Sequence, residues 1–191
     1  MSARSLYQSD SGKSLDASAE NLDRLIHNIA GGDRDALAEL YELTNKMVYS
    51  FALSVLKDIH DAQDILQDCY LHIYSSAGGY RGRGKPMAWI LTITRNLCLK
   101  CIRSSARLVQ FSEEEWDTVA RDGAESSVDD RITLSACMRS LGDTERQIVV
   151  LHAVSGMKHR EISDLLQIPL PTVLSKYNRA IKKLRKILET V

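Results

Sequence analysis

Near the end of the chain, Thr172, Ser175, Lys176 and Arg179 recur at i, i+3, i+4 and i+7, a spacing that gathers four side chains on one helical face. Val173, Tyr177, Ala180, Ile181 and Leu184 form an apolar stripe on the other side. Hydroxyl, ammonium and guanidinium groups on such a face offer hydrogen bonds and positive charge. A shorter helix carrying Ile162, Leu165 and Leu166 precedes it, through the turn Gln167-Ile168-Pro169-Leu170. The pair predicts a helix-turn-helix, whose second helix fits the major groove of duplex DNA. Thr172, Ser175 and Lys176 would then approach base edges, while Arg179 and the later lysines suit phosphates. A plain helical hairpin buried in a core competes with this reading, but an outer face without acid weighs against it.

Two further sets differ in chemistry. Asp61, Asp64, Gln67 and Asp68 share the face opposite Ile65, Cys69 and Ile73, an acidic, hydrogen-bonding surface suited to a basic partner or simply to solvent. Trp89, Thr92, Asn96 and Arg103 lie along one side of a later helix, with Arg95 and Lys100 nearby. The loop Tyr80-Arg81-Gly82-Arg83-Gly84-Lys85 runs just before it. Aromatic, amide and hydroxyl groups among basic charge suit a separated nucleic-acid strand, whose bases stack and expose their edges. Trp89 could equally be core, so Asn96 and the loop carry more of this expectation.

Cys98-x-x-Cys101 and Cys69-x-x-His72 contain the residue types of a zinc site. Cys69 and Cys101 also fall on apolar stripes, where free cysteine is common, and one helix places Cys98 and Cys101 poorly for a disulfide. No phosphate-cradling glycine loop and no nucleophile–base set is present, so neither catalysis nor a cofactor is expected.

These side chains need helices to hold them. Apolar residues at three- and four-residue steps run from Leu37 to Leu56, from Ile65 to Ile73, and from Ile90 to Cys101 after Pro86. Tyr41, Met47 and Phe51 belong to the first stripe. Periodicity lapses over 105–130 and returns at Ile132, with Ile148, Val149, Leu151 and Val154 expected inside. Asp61 or a neighbour, then Asp143 or Thr144, are candidate helix caps. The fold expected is all-α: a serine-rich arm over 1–20, a helical domain over 21–104, a flexible acidic linker over 105–130 and a second helical domain over 131–191.

The 191 residues carry 25 basic and 25 acidic side chains, and the zero net charge conceals strong segregation. Residues 78–110 hold seven basic groups and no acid, and residues 171–188 hold six and no acid. Two basic blocks on helices favour a polyanionic partner. A 44% apolar composition without a long apolar run excludes a membrane span, and four cysteines without a leader exclude a disulfide scaffold, leaving the cytoplasm as the expected compartment.

The stretch Asp61-Ala62-Gln63-Asp64-Ile65-Leu66-Gln67-Asp68-Cys69-Tyr70-Leu71, the basic loop, and Met87 to Asn96 together resemble region 2 of bacterial RNA polymerase sigma factors. Leu141 to Arg185 resembles their region 4, and the two-domain layout is similar to the extracytoplasmic-function (ECF) group. The resemblance implies a factor that binds core polymerase and directs promoter-specific initiation. Asp61, Asp64, Gln67 and Asp68 would dock on the β′ clamp helices, with a further contact to the β flap. Tyr80, Arg81, Arg83, Lys85, Trp89, Thr92, Arg95, Asn96, Lys100 and Arg103 would bind and open the −10 element. Arg160, Thr172, Ser175, Lys176, Arg179 and Lys183 would read the −35 element. An anti-sigma factor would occlude these surfaces, and the acidic linker would imitate nucleic acid in the polymerase channels. The chain departs from the family at Gln167, where glycine is usual, at Leu174, where a basic residue is frequent, and at Lys100, often acidic in relatives. A stand-alone duplex-binding regulator and a protein-only adaptor are the competing readings.

Overall fold

The computed structural model describes residues 10–82, 84–105, 134 and 136–189, and every regular element among them is helical. Arg83 and nearly all of the expected acidic linker lie outside the described residues. Four helices come first: α1 (Asp10–Ala30), α2 (Arg34–Leu56), α3 (Ile59–Ser76) and α4 (Pro86–Ser105), with a single 3₁₀ turn, Ala77–Gly79, between the last two. Helical residues 136–140 lead into α5 (Asp143–Ala153), α6 (His159–Leu166) and α7 (Leu170–Leu188). Helix α1 begins inside the stretch that composition assigns to a serine-rich arm.

Local chemistry sets the helix ends. Asp33 caps α2 by accepting from the Asp35 and Ala36 amides at 2.9 and 3.1 Å, while Gly32 turns the chain at φ +91°. Asp58 caps α3 by accepting from the Asp61 amide at 2.7 Å, so the cap is the neighbour and Asp61 sits inside the first turn. Gly142 takes the position before α5, ahead of the expected Asp143 or Thr144, and its amide donates to Glu145 Oε2 at 3.1 Å. Two helices end in the left-handed conformation without glycine, α2 at Lys57 (φ 62°) and α6 at Gln167 (φ 57°).

Helices α1 to α4 pack around Leu25, Ile26, Leu40, Val48, Ile73 and Ile90. Thr44 is buried there with its hydroxyl donating to the Leu40 carbonyl at 2.6 Å and pairing with Tyr70 Oη at 2.7 Å, which satisfies both polar groups. Tyr41 and Val154 depart from expectation, at 38% and 44% exposed. Met47, Ile93 and Cys101 are half-buried.

A second core joins the two halves. Phe51 of α2 and Leu91 of α4, both 0% exposed, pack with Ile148, Leu151, Met157, Ile162 and Leu165 of the C-terminal helices. Each fully buried side chain of that size stabilises by about 1.5–3 kcal/mol. Lys57 Nζ reaches Asp143 Oδ1 across the same boundary at 2.8 Å, and Lys85 Nζ lies 3.9 Å from Glu161 Oε1. Behind α5, buried Arg146 donates to the carbonyls of Met138 at 3.0 Å and Leu141 at 2.8 Å, and to Asp143 at 3.2 Å.

Candidate nucleic-acid interface

The α6–α7 turn is built tightly. The Ile168 amide donates to the Ser163 carbonyl at 3.2 Å, and Ser163 Oγ donates to the Ile168 carbonyl at 2.7 Å. Pro171 occupies the first turn of α7, where its missing N–H costs nothing. Val173 and Ala180, both 0% exposed, fix which way the helix faces. Ser175 and Arg179 are exposed, as expected, whereas Thr172 and Lys176 are half-buried. Lys183 donates to Glu145 Oε2 at 2.7 Å, tying α7 to α5. Burial opposes ionisation of Glu145, but the bonds from Lys183 and the Gly142 amide outweigh it and leave its pKa below the usual range. Arg160 is exposed in the first turn of α6.

Leu174, 41% exposed, and Asn178 share the outer face with Pro171, Ser175 and Lys182. The sequence marks Leu174 only as a departure from the family pattern, and Asn178 was passed over. Their i, i+4 spacing was the available signal, hidden by counting only basic and hydroxyl groups.

Helix α4 carries the second face. Thr92, Asn96, Lys100 and Arg103 are all exposed along one side, and Arg95 is half-buried. Trp89, which would continue that row, instead tilts against Tyr80 with ring centroids 4.8 Å apart. The Tyr80 hydroxyl donates to the Asp23 carboxylate of α1. Arg81 and Lys85 are exposed on either side of Gly82 and Gly84, both at positive φ. The aromatic pair thus forms the packed root of the loop, and the exposed polar row lies beyond it.

The acidic set borders a groove of about 490 Å³ between α3 and α4, with Asp61, Asp64 and Asp68 along it and Lys100 opposite. Gln67 is exposed beside them, and Leu71 adds an apolar side chain 68% exposed. Partial burial, reinforced by the charge of Asp58, raises the pKa of Asp61.

The candidate zinc ligands are divided. Cys69 faces the core, 3.3 Å from Thr94 Oγ1, and Cys98 is equally buried, whereas His72 lines the groove. Burial pushes the Cys69 thiol up to about 11 and the Cys98 thiol up to about 12, which keeps both protonated and unreactive. Among the described residues no three histidine, cysteine or carboxylate side chains are arranged to hold a metal ion.

The chain matches the family models for Sigma-70 region 2 over residues 40–108 and Sigma-70 region 4 over residues 131–184. It is 30% identical over 178 residues to the ECF RNA polymerase sigma factor SigK of Mycobacterium ulcerans, spanning 90% of this chain and 95% of that protein. The SigK of Mycobacterium sp. strain KMS is 32% identical over 175 residues, spanning 88% and 91%. Among solved structures, CnrH in complex with the cytosolic domain of CnrY superposes with a TM-score of 0.63 at 20% identity, over 89% of this chain and 98% of that one. The sigma factor RpoE of Bartonella quintana, in complex with the anti-sigma factor NepR, gives 0.61 at 19% identity, over 80% and 96%.

Proposed function

The chain belongs to the ECF group of the sigma-70 family, and from that premise we propose how its residues divide the work of promoter-directed initiation. Asp61, Asp64, Gln67 and Asp68 dock core polymerase on the β′ clamp helices. Arg81, Arg83, Lys85, Thr92, Arg95, Asn96, Lys100 and Arg103 capture the opened −10 strand, with Tyr80 and Trp89 bracing the loop. Ser175 and Arg179, joined by Leu174 and Asn178, face the −35 duplex, flanked by Arg160, Thr172 and Lys176. Lys183 serves the α5–α7 joint.

One observation carries this division: two exposed polar faces on different helices, α4 and α7, each sit on an apolar core that fixes their direction. The binding chemistry is contributed without a catalytic side chain, since the polymerase makes the RNA. No described helix is long and apolar enough to cross a membrane, and the chain works beside the polymerase in the cytoplasm. An anti-sigma factor holds it inactive, a reading supported by the complex formed by RpoE.

The two halves must part during this work. Elements named −10 and −35 are about 25 base pairs apart, roughly 85 Å along B-form DNA at about 3.4 Å per pair. A compact chain of this length is only about 40 Å across. Core polymerase therefore separates the Phe51–Leu91 seam as it engages both halves.

Transcription with purified core enzyme tests the assignment. Lys176→Glu with Arg179→Glu abolishes promoter-dependent transcripts while core association persists. Asp64→Lys and Asp68→Lys each lose core association with helical content preserved. Tight duplex binding without polymerase would instead favour the stand-alone regulator.

A further inference from the structure

The root of the basic loop is fastened to α1. Tyr80 ends the 3₁₀ turn, and its hydroxyl donates to Asp23 Oδ1, 57 residues earlier in the chain. Its ring lies between His27, edge-on at 5.9 Å between centroids, and Trp89 at 4.8 Å. Gly82 follows at φ +53°, and a Cβ there would stand 3.2 Å from His27 Cε1, so the loop turns directly against that ring. His27 is itself oriented, its Nδ1 donating to the Asp23 carbonyl at 2.7 Å. Asp23 and His27 sit one turn apart, beside the buried Leu22, Ile26 and Ile29 that anchor α1.

Residues 78–110 contain no acid, so α1 supplies the carboxylate that the loop root binds. That helix lies before residue 40, where the region 2 match begins.

We propose that Asp23 and His27 are positioning residues for strand capture: α1 latches Tyr80, so that Arg81, Lys85 and Asn96 meet the unpaired −10 strand in a fixed register. The proposal rests on the assignment of the loop and α4 to that strand. Ordering a glycine-rich loop costs about 1–2 kcal/mol per residue in backbone entropy. A latched loop meets that cost during folding, so strand binding is spared it. Burial, then the bond and charge of Asp23, push the Tyr80 phenol far above its ordinary range, and it stays a donor at any working pH. Tyr80 acts as the pin of the loop, its hydroxyl and ring already engaged.

Holoenzyme reconstituted from core polymerase and the full chain is assayed on a single-stranded non-template −10 oligonucleotide and, separately, on a −35 duplex. Tyr80→Phe and Asp23→Ala each weaken capture of the oligonucleotide about tenfold, as expected for a lost hydrogen bond to a charged group. The double variant is no weaker than either single, and Asp23→Asn, which keeps an acceptor oxygen, recovers most of the loss. Affinity for core and for the −35 duplex stays within about twofold, a margin below one lost hydrogen bond. Additive losses, unchanged capture, or an equal fall in core affinity would each overturn the latch. Asn96→Ala separates the two levels. If it leaves capture intact, the strand assignment itself fails; if it abolishes capture while Asp23→Ala does not, only the latch fails.

Discussion

Under the proposed division of work, the faces on α7 and α4 solve opposite problems. Helix α7 presents side chains from a regular helix whose direction is set by Val173 and Ala180 beneath it. The α4 face depends on a glycine-rich loop, and its aromatic residues are spent on fastening that loop to α1. Duplex DNA has a regular groove, so a rigid helix is sufficient to read it. A separated strand has no fixed shape, and the protein must supply the order itself. The supports differ accordingly: α7 is tied to α5 by the Lys183–Glu145 bond, and Arg146 fixes α5 to the backbone before it, whereas the loop rests on a latch from a remote helix.

The largest effect should come from loosening α5, to which α7 is joined by Lys183–Glu145 and by Val149 against Ala180. Arg146 is 5% exposed and donates to two backbone carbonyls. Arg146→Ala strips the buried Leu141 carbonyl of the guanidinium donor, leaves Met138 only its 3.4 Å bond from the Leu141 amide, and opens a cavity, a loss of about 3 kcal/mol. Chemical denaturation should show that loss. Binding to a −35 duplex should fall with it, while capture of a −10 oligonucleotide persists. Equal damage to both activities would mean that the two faces share one support through the Phe51–Leu91 seam.

A pH test comes next. Burial, then the charge of His152, lowers the pKa of His159, whose ring stacks on His152 at 4.5 Å and meets Tyr177 of α7 at 4.7 Å. The unfolded chain therefore takes up a proton first. The stabilisation is complete above the ordinary value of about 6.5 and declines as pH falls from there through the lower folded value. Thermal melts at pH 7.5 and 5.5 should show region 4 weakening in acid, and His159→Phe should flatten the dependence. An unchanged slope in that variant would place the acid sensitivity elsewhere.

What the sequence made legible follows from how local each feature is. The stripes of α2, α3 and α4 and the α6–α7 pair are read from neighbours three and four apart, and those helices stand where the spacing puts them. The seam was not legible. Ile90 and Leu91 are adjacent and both 0% exposed, because α4 is covered by two different cores, and a single stripe signals only one. The bond from Lys183 to Glu145 was not legible because the two are 38 residues apart. Nor was the bond from Tyr80 to Asp23, 57 residues apart. Val154 read as core from its apolar type, but it lies beyond the end of α5, where the helical period no longer applies.

The smallest effect compares the two left-handed helix ends. Gln167 (φ 57°) and Lys57 (φ 62°) each occupy a conformation that costs a side-chain-bearing residue about 1–2 kcal/mol. Glycine removes that cost and returns about 0.4–1 kcal/mol through a freer unfolded chain. Gln167 is exposed, so Gln167→Gly should gain about 0.5 kcal/mol, a rise of roughly 2–4 °C in melting temperature for a small domain. Lys57→Gly should gain less at neutral pH, because it also removes the 2.8 Å bridge to Asp143. Exposed bridges are worth at most about 1 kcal/mol, enough to cancel the benefit. The hydrogen bond from Lys57 is the chief reason Asp143 titrates below the usual carboxylate range, so the bridge holds above that range and is lost as acid protonates the carboxyl. Below that point the wild type has lost the bridge as well, and the two glycine variants should show equal gains. A gap that survives in acid would mean that Lys57 holds the seam by packing its stem, with charge playing little part.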